Sequence, residues 1–193
     1  MVKNPDETFS DFPTCSLEAL PQDLQEKVLN LQAKTGFVPN VFLALGHRPK
    51  QLRAFFQYYE ATMDDDCSLE KIEREMVVVA TSSANKCTYC VVSHGAILRL
   101  YTKSPFISDQ IAIDHNKAEI SDKHKVMLDF ACKFARTPEL INKSDHELLK
   151  SHDFEDKQIW DIGAITAFFA LSNRMAHLLN IRPNIEFYSL GRS

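Results

Sequence analysis

An all-α fold is predicted by three features of the 193-residue chain: apolar residues recur three and four apart nearly throughout, glycine is scarce, at 5, and no alternating stretch ends in an Asn-Gly or Asp-Gly hairpin. Helices bury an apolar stripe at that spacing, whereas a half-buried strand needs strict alternation. The first helix is expected from about Pro21 to Lys34, with Leu24, Val28 and Leu31 inward and Gly36 at its end. A short helix opens after Pro39. The next spans about Pro49 to Met63, with proline in its first turn and Leu52, Phe55, Phe56 and Tyr59 as its inner face. Asp64-Asp65-Asp66 lacks the ligand alternation and the glycine of a calcium loop, and reads as a solvated turn.

Ser68 is expected to cap a helix carrying Leu69, Ile72, Met76, Val79 and Ala80 as far as Ala84. A tight break follows at Asn85, which is expected to cap a second helix starting near Lys86, so that the two form an antiparallel hairpin. Further helices follow Ser104-Pro105 and Ser121, the latter holding Val126, Met127, Phe130 and Phe134 before Pro138 ends it. A short helix covers about Ser144 to Lys150. The last long one runs from about Glu155 to Asn180. Its Ile159, Ile162, Ile165, Phe168 and Phe169 are so evenly apolar that burial on several sides is expected. No repeat or low-complexity segment is evident. One domain over residues 1–193 is expected, with 1–16 as an extended N-terminal segment.

Composition narrows the function. With 45% hydrophobic and 25% charged residues the chain is that of an ordinary globular protein, long enough for a full core. A formal net charge of −4 and mixed signs along the chain supply no basic stripe for nucleic acid or an anionic membrane. The N-terminus lacks the charged-then-apolar pattern of a secretory signal, and the apolar stretch around Ile162 to Leu171 is too short to span a bilayer. A cytoplasmic location is expected. Five cysteines, an odd number at low density, suit a reducing compartment with one working pair better than a disulfide scaffold.

That pair is Cys87 and Cys90, in Asn85-Lys86-Cys87-Thr88-Tyr89-Cys90-Val91-Val92-Ser93-His94. On a helix, residues 87, 90 and 94 lie three and four apart and share a face, so two sulfurs and an imidazole come together. Thiolates are the reactive form, and a helix N-terminus with a nearby base lowers the thiol pKa. His94, one turn past Cys90, is within proton-exchange range of it. Two other readings stand beside this one. Cysteine is a common core residue, and the stripe can be the inward face of a helix. A zinc site would have three of its ligands here, but Cys15, Cys67 and Cys132 stand alone and no second C-x-x-C or H-x-x-x-H closes a tetrahedron. No metal or other cofactor is expected. Glu75, twelve residues before Cys87 in the preceding helix, can face His94 or the cysteines across the hairpin; alternatively it is one of three exposed charges with Glu73 and Arg74. The histidines at 47, 115, 124, 146, 152 and 177 show no paired spacing and take no role.

The spacing of Glu75, Cys87, Cys90 and His94 matches the glutamate, eleven residues, then C-x-x-C-x-x-x-H of the AhpD-like alkylhydroperoxidase family, within the carboxymuconolactone decarboxylase superfamily, and the chain resembles that family. Gly36-Phe37-Val38-Pro39-Asn40, Arg48-Pro49, Glu73-Arg74-Glu75, Asn173-Arg174 and Arg182-Pro183-Asn184 resemble its peroxidase-related subfamily, extending the likeness over roughly residues 17 to 188. The resemblance implies an all-α bundle whose central hairpin carries C-x-x-C, assembled as a homotrimer or homohexamer. It also implies a thiol-dependent peroxidase that reduces hydrogen or organic hydroperoxides, with a dithiol reductant of lipoyl type. Carried over, Cys90 is the peroxidatic thiol, Cys87 the resolving thiol, His94 the base and Glu75 the group that orients or recharges it. The best-known members have a second histidine where this chain has Tyr89, whose phenol is a far weaker base, with a pKa near 10. A redox-sensing or stress-response oligomer is the alternative of a different class. The decarboxylase chemistry of the superfamily is a third, and it has no need of a cysteine pair.

Overall fold

The computed structural model describes residues 8–64 and 66–192, and every α or 3-10 element among them is helical, with no strand. Asp65 of the acidic turn and residues 1–7 of the N-terminal segment lie outside the described residues. Helix α1 (Gln22–Thr35) stops at Gly36, whose φ of 86° is the left-handed conformation that glycine adopts without strain. Helices α2 (Asn40–Leu45) and α3 (Pro49–Met63) follow, the latter opening on proline. Leu20, Leu24, Val28, Leu52 and Phe56 close one buried cluster among these three helices, and Leu31 packs on it partly buried.

The centre of the molecule is α4 (Lys71–Ala84). It packs most extensively on α5 (Thr88–Thr102), and also on α6 (Ile107–Asp114), α7 (Asp122–Arg136) and α9 (Asp156–Leu179). An amphipathic stripe is too narrow a description of α4, because all residues from Glu73 to Ser82 are buried. Glu73 and Arg74 are therefore not exposed companions of Glu75. Arg74 turns back over the α3–α4 connection and donates to the carbonyls of Met63, Asp64 and Leu69. Glu73 closes a capping box with Glu70, which is the N-cap in place of the expected Ser68. Ser68 is drawn off by α9, donating both its backbone N–H and its hydroxyl to Asp161.

Helix α8 (Lys143–Ser151) is capped by Asn142, and Ser121 caps α7 as expected, accepting from the His124 backbone N–H. Helix α9 begins at a capping box of Glu155 and Gln158 and ends at Asn180 in left-handed backbone. At 24 residues and a mean hydropathy of 1.2 it is long and apolar enough by composition to cross a membrane, contrary to the shorter apolar stretch counted from sequence. Half of that window is buried inside the protein against α3, α4 and α7, the position of a core helix. Its outer face leaves Trp160 at 77% exposure, with Leu171 and Leu178 also exposed.

The segments nearest both ends of the described residues are tied to the bundle. The Arg182 N–H donates to the Phe9 carbonyl and the Asp11 N–H to the Leu179 carbonyl, strapping the N-terminal segment to the end of α9. The short α10 (Glu186–Ser189) is held by buried Arg99 of α5, which donates to the carbonyls of Phe187 and Leu190.

Candidate active site

The turn between α4 and α5 is where the dithiol is built. Asn85 ends α4, Lys86 takes a left-handed φ of 58°, and the Cys87 N–H donates back to the Ser82 carbonyl at 2.8 Å. Cys87 itself is the N-cap of α5, which starts at Thr88, so Asn85 does not cap this helix as the sequence had suggested. The extra residue lets the chain reverse before the helix begins. Cys87 and Cys90 consequently lie within the first turn, near the positive end of the helix dipole, both buried and both free thiols.

One turn further, His94 meets Glu75 across the hairpin. Its Nδ1 lies 2.8 Å from Glu75 Oε2, with Glu75 at 3% exposure. A carboxylate oxygen accepts, so Nδ1 is the donor of this bond and Nε2 is the ring nitrogen it leaves unengaged. The ring stands edge-on to Phe169, centroids 4.8 Å apart, which holds its plane. His94 and Cys90 do not bond to each other directly. Instead both line a pocket of about 480 Å³, together with Ser93, Ser172 and a largely aromatic wall that includes Phe42, Phe55, Tyr59, Phe168 and Phe187. Cys87 lies behind Cys90, outside that lining. The Cys90 sulfur has the Ser172 hydroxyl at 3.8 Å.

The two sulfurs are shifted in opposite directions. The hydrogen bond from Cys90 brings Cys87 down to about 6 against the opposing effect of burial, helped by the Cys90 backbone N–H, His177 and Asn173. The same bond, with burial, pushes Cys90 well above its ordinary range. The other cysteines are poor thiolates: burial raises Cys15 and Cys67, and takes Cys132 to about 11. Tyr89, in the position of the family's second histidine, is fixed by accepting the Val41 N–H at 3.2 Å, and burial pushes its phenol up. It remains a neutral phenol and cannot serve as a base near neutral pH.

All four residues singled out by spacing thus gather around the hairpin, with Glu75 bonded to His94 and Cys87 and Cys90 as neighbouring free thiols in the first turn of α5. Sequence reasoning missed Ser172, Asn173 and His177, which α9 brings from more than 80 positions away. Asn173-Arg174 had been noticed as a motif, but nothing in it announced a role. Among the described residues, no group of three or more His, Cys, Asp and Glu stands where it could hold a metal ion.

Comparison with known proteins bears on the family and the fold. A model of the carboxymuconolactone decarboxylase family matches residues 49–102, which span α3 to α5. A peroxidase-related protein with an alkylhydroperoxidase AhpD core, itself uncharacterized, from Ralstonia eutropha JMP134 superposes with a TM-score of 0.95. It is 52% identical, over 97% of this chain and 98% of that one. The chain belongs to the AhpD-like, peroxidase-related branch of the carboxymuconolactone decarboxylase family. Another uncharacterized member, from Silicibacter sp. TM1040, is 38% identical over the full length of both chains, with a TM-score of 0.90. The same AhpD-like fold occurs in the debrominase Bmp8 in complex with 2,3,4-tribromopyrrole, at a TM-score of 0.73 and 17% identity over 97% of each chain. None of the curated proteins matches the sequence.

Proposed function

We propose that this AhpD-like protein is a thiol-dependent peroxidase that reduces hydrogen or organic hydroperoxides through a Cys87–Cys90 dithiol cycle. The observation that carries the reading is the shared pocket wall of Cys90 and His94, with the far nitrogen of the imidazole held by Glu75. In the first step the Cys90 thiol gives its proton to His94 and its sulfur attacks the terminal peroxide oxygen. The O–O bond breaks, Cys90 becomes a sulfenic acid, and the alkoxide leaves as an alcohol by taking a proton relayed through His94 and Glu75. The Cys87 thiolate then attacks the sulfenic sulfur and closes the disulfide, displacing hydroxide, which takes a proton from solvent and is released as water. A dithiol, of lipoyl type by family likeness, supplies the two electrons that reopen it.

A pocket beside the thiol supports turnover of a substrate rather than slow sensing, since a sensor needs no room for an organic group. Its aromatic wall suits the carbon chain of an organic hydroperoxide. The exposed apolar side of α9, with Trp160 outermost, supports a homotrimer or homohexamer. A donor-dependent peroxide-consumption assay tests the reading. Wild type should consume many equivalents of peroxide with a dithiol donor and Cys90→Ser almost none. One equivalent per chain would favour the sensor, and an active Cys90→Ser would dismiss the cycle.

A further inference from the structure

One hydroxyl on the pocket has only the Cys90 sulfur for a partner. A buried serine or threonine inside a helix can return its hydroxyl hydrogen to the carbonyl one turn back. Ser93 does so to the Tyr89 carbonyl at 2.8 Å, and Thr81 to the Val77 carbonyl at 2.7 Å. Ser172 of α9 does not. It is 6% exposed, and among the described residues its hydroxyl has one neighbour in bonding range, the Cys90 sulfur at 3.8 Å. Both residues line the pocket, and Phe168 and Phe169, one turn earlier in α9, keep that wall apolar. A hydroxyl both donates and accepts, whereas a sulfur that has lost its proton only accepts. While Cys90 is a thiol either atom can be the donor; once Cys90 ionises, only the serine O–H can. Apolar surroundings make that donor stronger than it would be in water.

We propose that Ser172 is a further catalytic residue, the donor that receives the negative charge of Cys90 when that thiol ionises for attack. The inference rests on the dithiol cycle proposed above, in which Cys90 is the attacking sulfur. In that cycle the Cys90 proton goes to His94 and the bonding pair stays on sulfur. The Ser172 hydroxyl turns its hydrogen toward that sulfur and keeps it, so no second proton moves. As the sulfur–oxygen bond forms and the O–O bond breaks, the charge passes to the leaving alkoxide and the hydroxyl is released. Such a donor is needed because the neighbouring Cys87 and burial hold the Cys90 thiol well above its ordinary range, and Ser172 acts against both. A stabilised thiolate is a weaker nucleophile, but the exponent is only about 0.4–0.5, so a mostly protonated thiol gains more in thiolate fraction than it loses. The titratable groups facing Cys90 are Cys87 and Tyr89 on α5 and His94 with Glu75 behind it. Across the pocket stand Tyr59 and Glu60 on α3 and Lys27 and Lys34 on α1.

The test is thiol–disulfide exchange between Cys90 and a small aromatic disulfide, dithiodipyridine, followed by release of its chromophoric thiol across pH. A Cys87→Ser background isolates Cys90, and the protein lacking both cysteines of the pair is the blank for Cys15, Cys67 and Cys132. Ser172→Ala should fold, alanine being the better helix former and no backbone bond being lost. The Cys90 thiol should rise by about one to two pH units, the scale of one hydrogen bond to a charged group. With the nucleophilicity exponent above, exchange at neutral pH should then slow by about three- to tenfold. The loss cannot be one of access, because the substitution widens the pocket by one atom. Where the parent curve levels off with pH, that of Ser172→Ala should still be climbing. Equal rates at neutral pH overturn the proposal, as does a Cys90 that is silent to the reagent in the parent. Because exchange uses no peroxide, the slowing seen in a protein without peroxidase turnover would defeat the proposed function and leave this role of Ser172 toward Cys90 standing. Equal exchange rates in an active peroxidase would defeat only the role.

Discussion

Glu75 Oε2 and His94 Nδ1 meet at 2.8 Å from opposite helices of the hairpin, twelve residues before and seven after the first cysteine. The pair leaves the second imidazole nitrogen unengaged on the pocket that Cys90 also lines. If the two act as one proton path, Glu75→Gln and His94→Phe should each slow peroxide turnover by roughly 10²–10⁴, without unfolding the protein. The double variant should cost little more than the worse single one, because members of one path are lost as a unit. Steady-state rates across pH check this, and unchanged profiles in both variants would leave the pair a structural one.

Mild peroxide should oxidise Cys87 and Cys90 before any other thiol, as a disulfide. Burial holds Cys15, Cys67 and Cys132 above the ordinary thiol range, whereas Cys87 is brought down to about 6. Peptide mapping should find a loss of two hydrogens confined to the 87/90 pair. Earlier oxidation at Cys132 would mean that the working thiols lie elsewhere.

The reduced protein should gain stability as pH rises between about 6 and 9. Over that window the folded chain has already released the Cys87 proton, while the unfolded chain, at the ordinary value of 9.0, still holds it; the state that binds more protons is disfavoured as pH increases. Above 9.0 the trend should reverse, because Cys90, raised in the fold, keeps its proton when the unfolded chain has lost it. Urea denaturation of reduced wild type against Cys87→Ser isolates the effect, and parallel pH curves for the two would contradict it.

Arg74→Met should destabilise the fold by about 3 kcal/mol, since three buried or half-buried carbonyls at the α3–α4 connection lose a charged donor. Chemical denaturation measures this directly. A loss below about 0.5 kcal/mol, the usual size of a surface change, would show that water replaces the guanidinium there.

Light scattering at micromolar concentration should report a trimer or hexamer. Trp160, Leu171 and Leu178 give α9 an exposed apolar side that a second copy can cover. A 22.0 kDa species alone would reject the assembly, and Trp160→Glu should weaken any that is found.

Much of this molecule was legible residue by residue. Local rules located α3 from Pro49 to Met63 and closed α1 at Gly36, because proline and glycine impose backbone angles whatever surrounds them. Spacing also brought Glu75 opposite His94, since a hairpin of two regular helices makes a long-range contact out of a short sequence offset. Local rules failed where a distant partner competed. Ser68 would cap α4 in isolation, but its N–H and hydroxyl are directed to Asp161 of α9, and Glu70 takes the N-cap position. Glu73 and Arg74 read as solvated charges by pattern, and are buried because α4 is enclosed on all sides and its neighbouring turn needs donors. The surroundings of the sulfurs are of the same kind. Spacing identified Cys87 and Cys90 as a pair, but Ser172 beside the Cys90 sulfur, and Asn173 and His177 bonded to Asn85 in the turn before them, come from more than 80 residues away in sequence. Only the packing of α9 against the hairpin brings those groups to the turn that carries the dithiol and leaves Cys90 on the pocket.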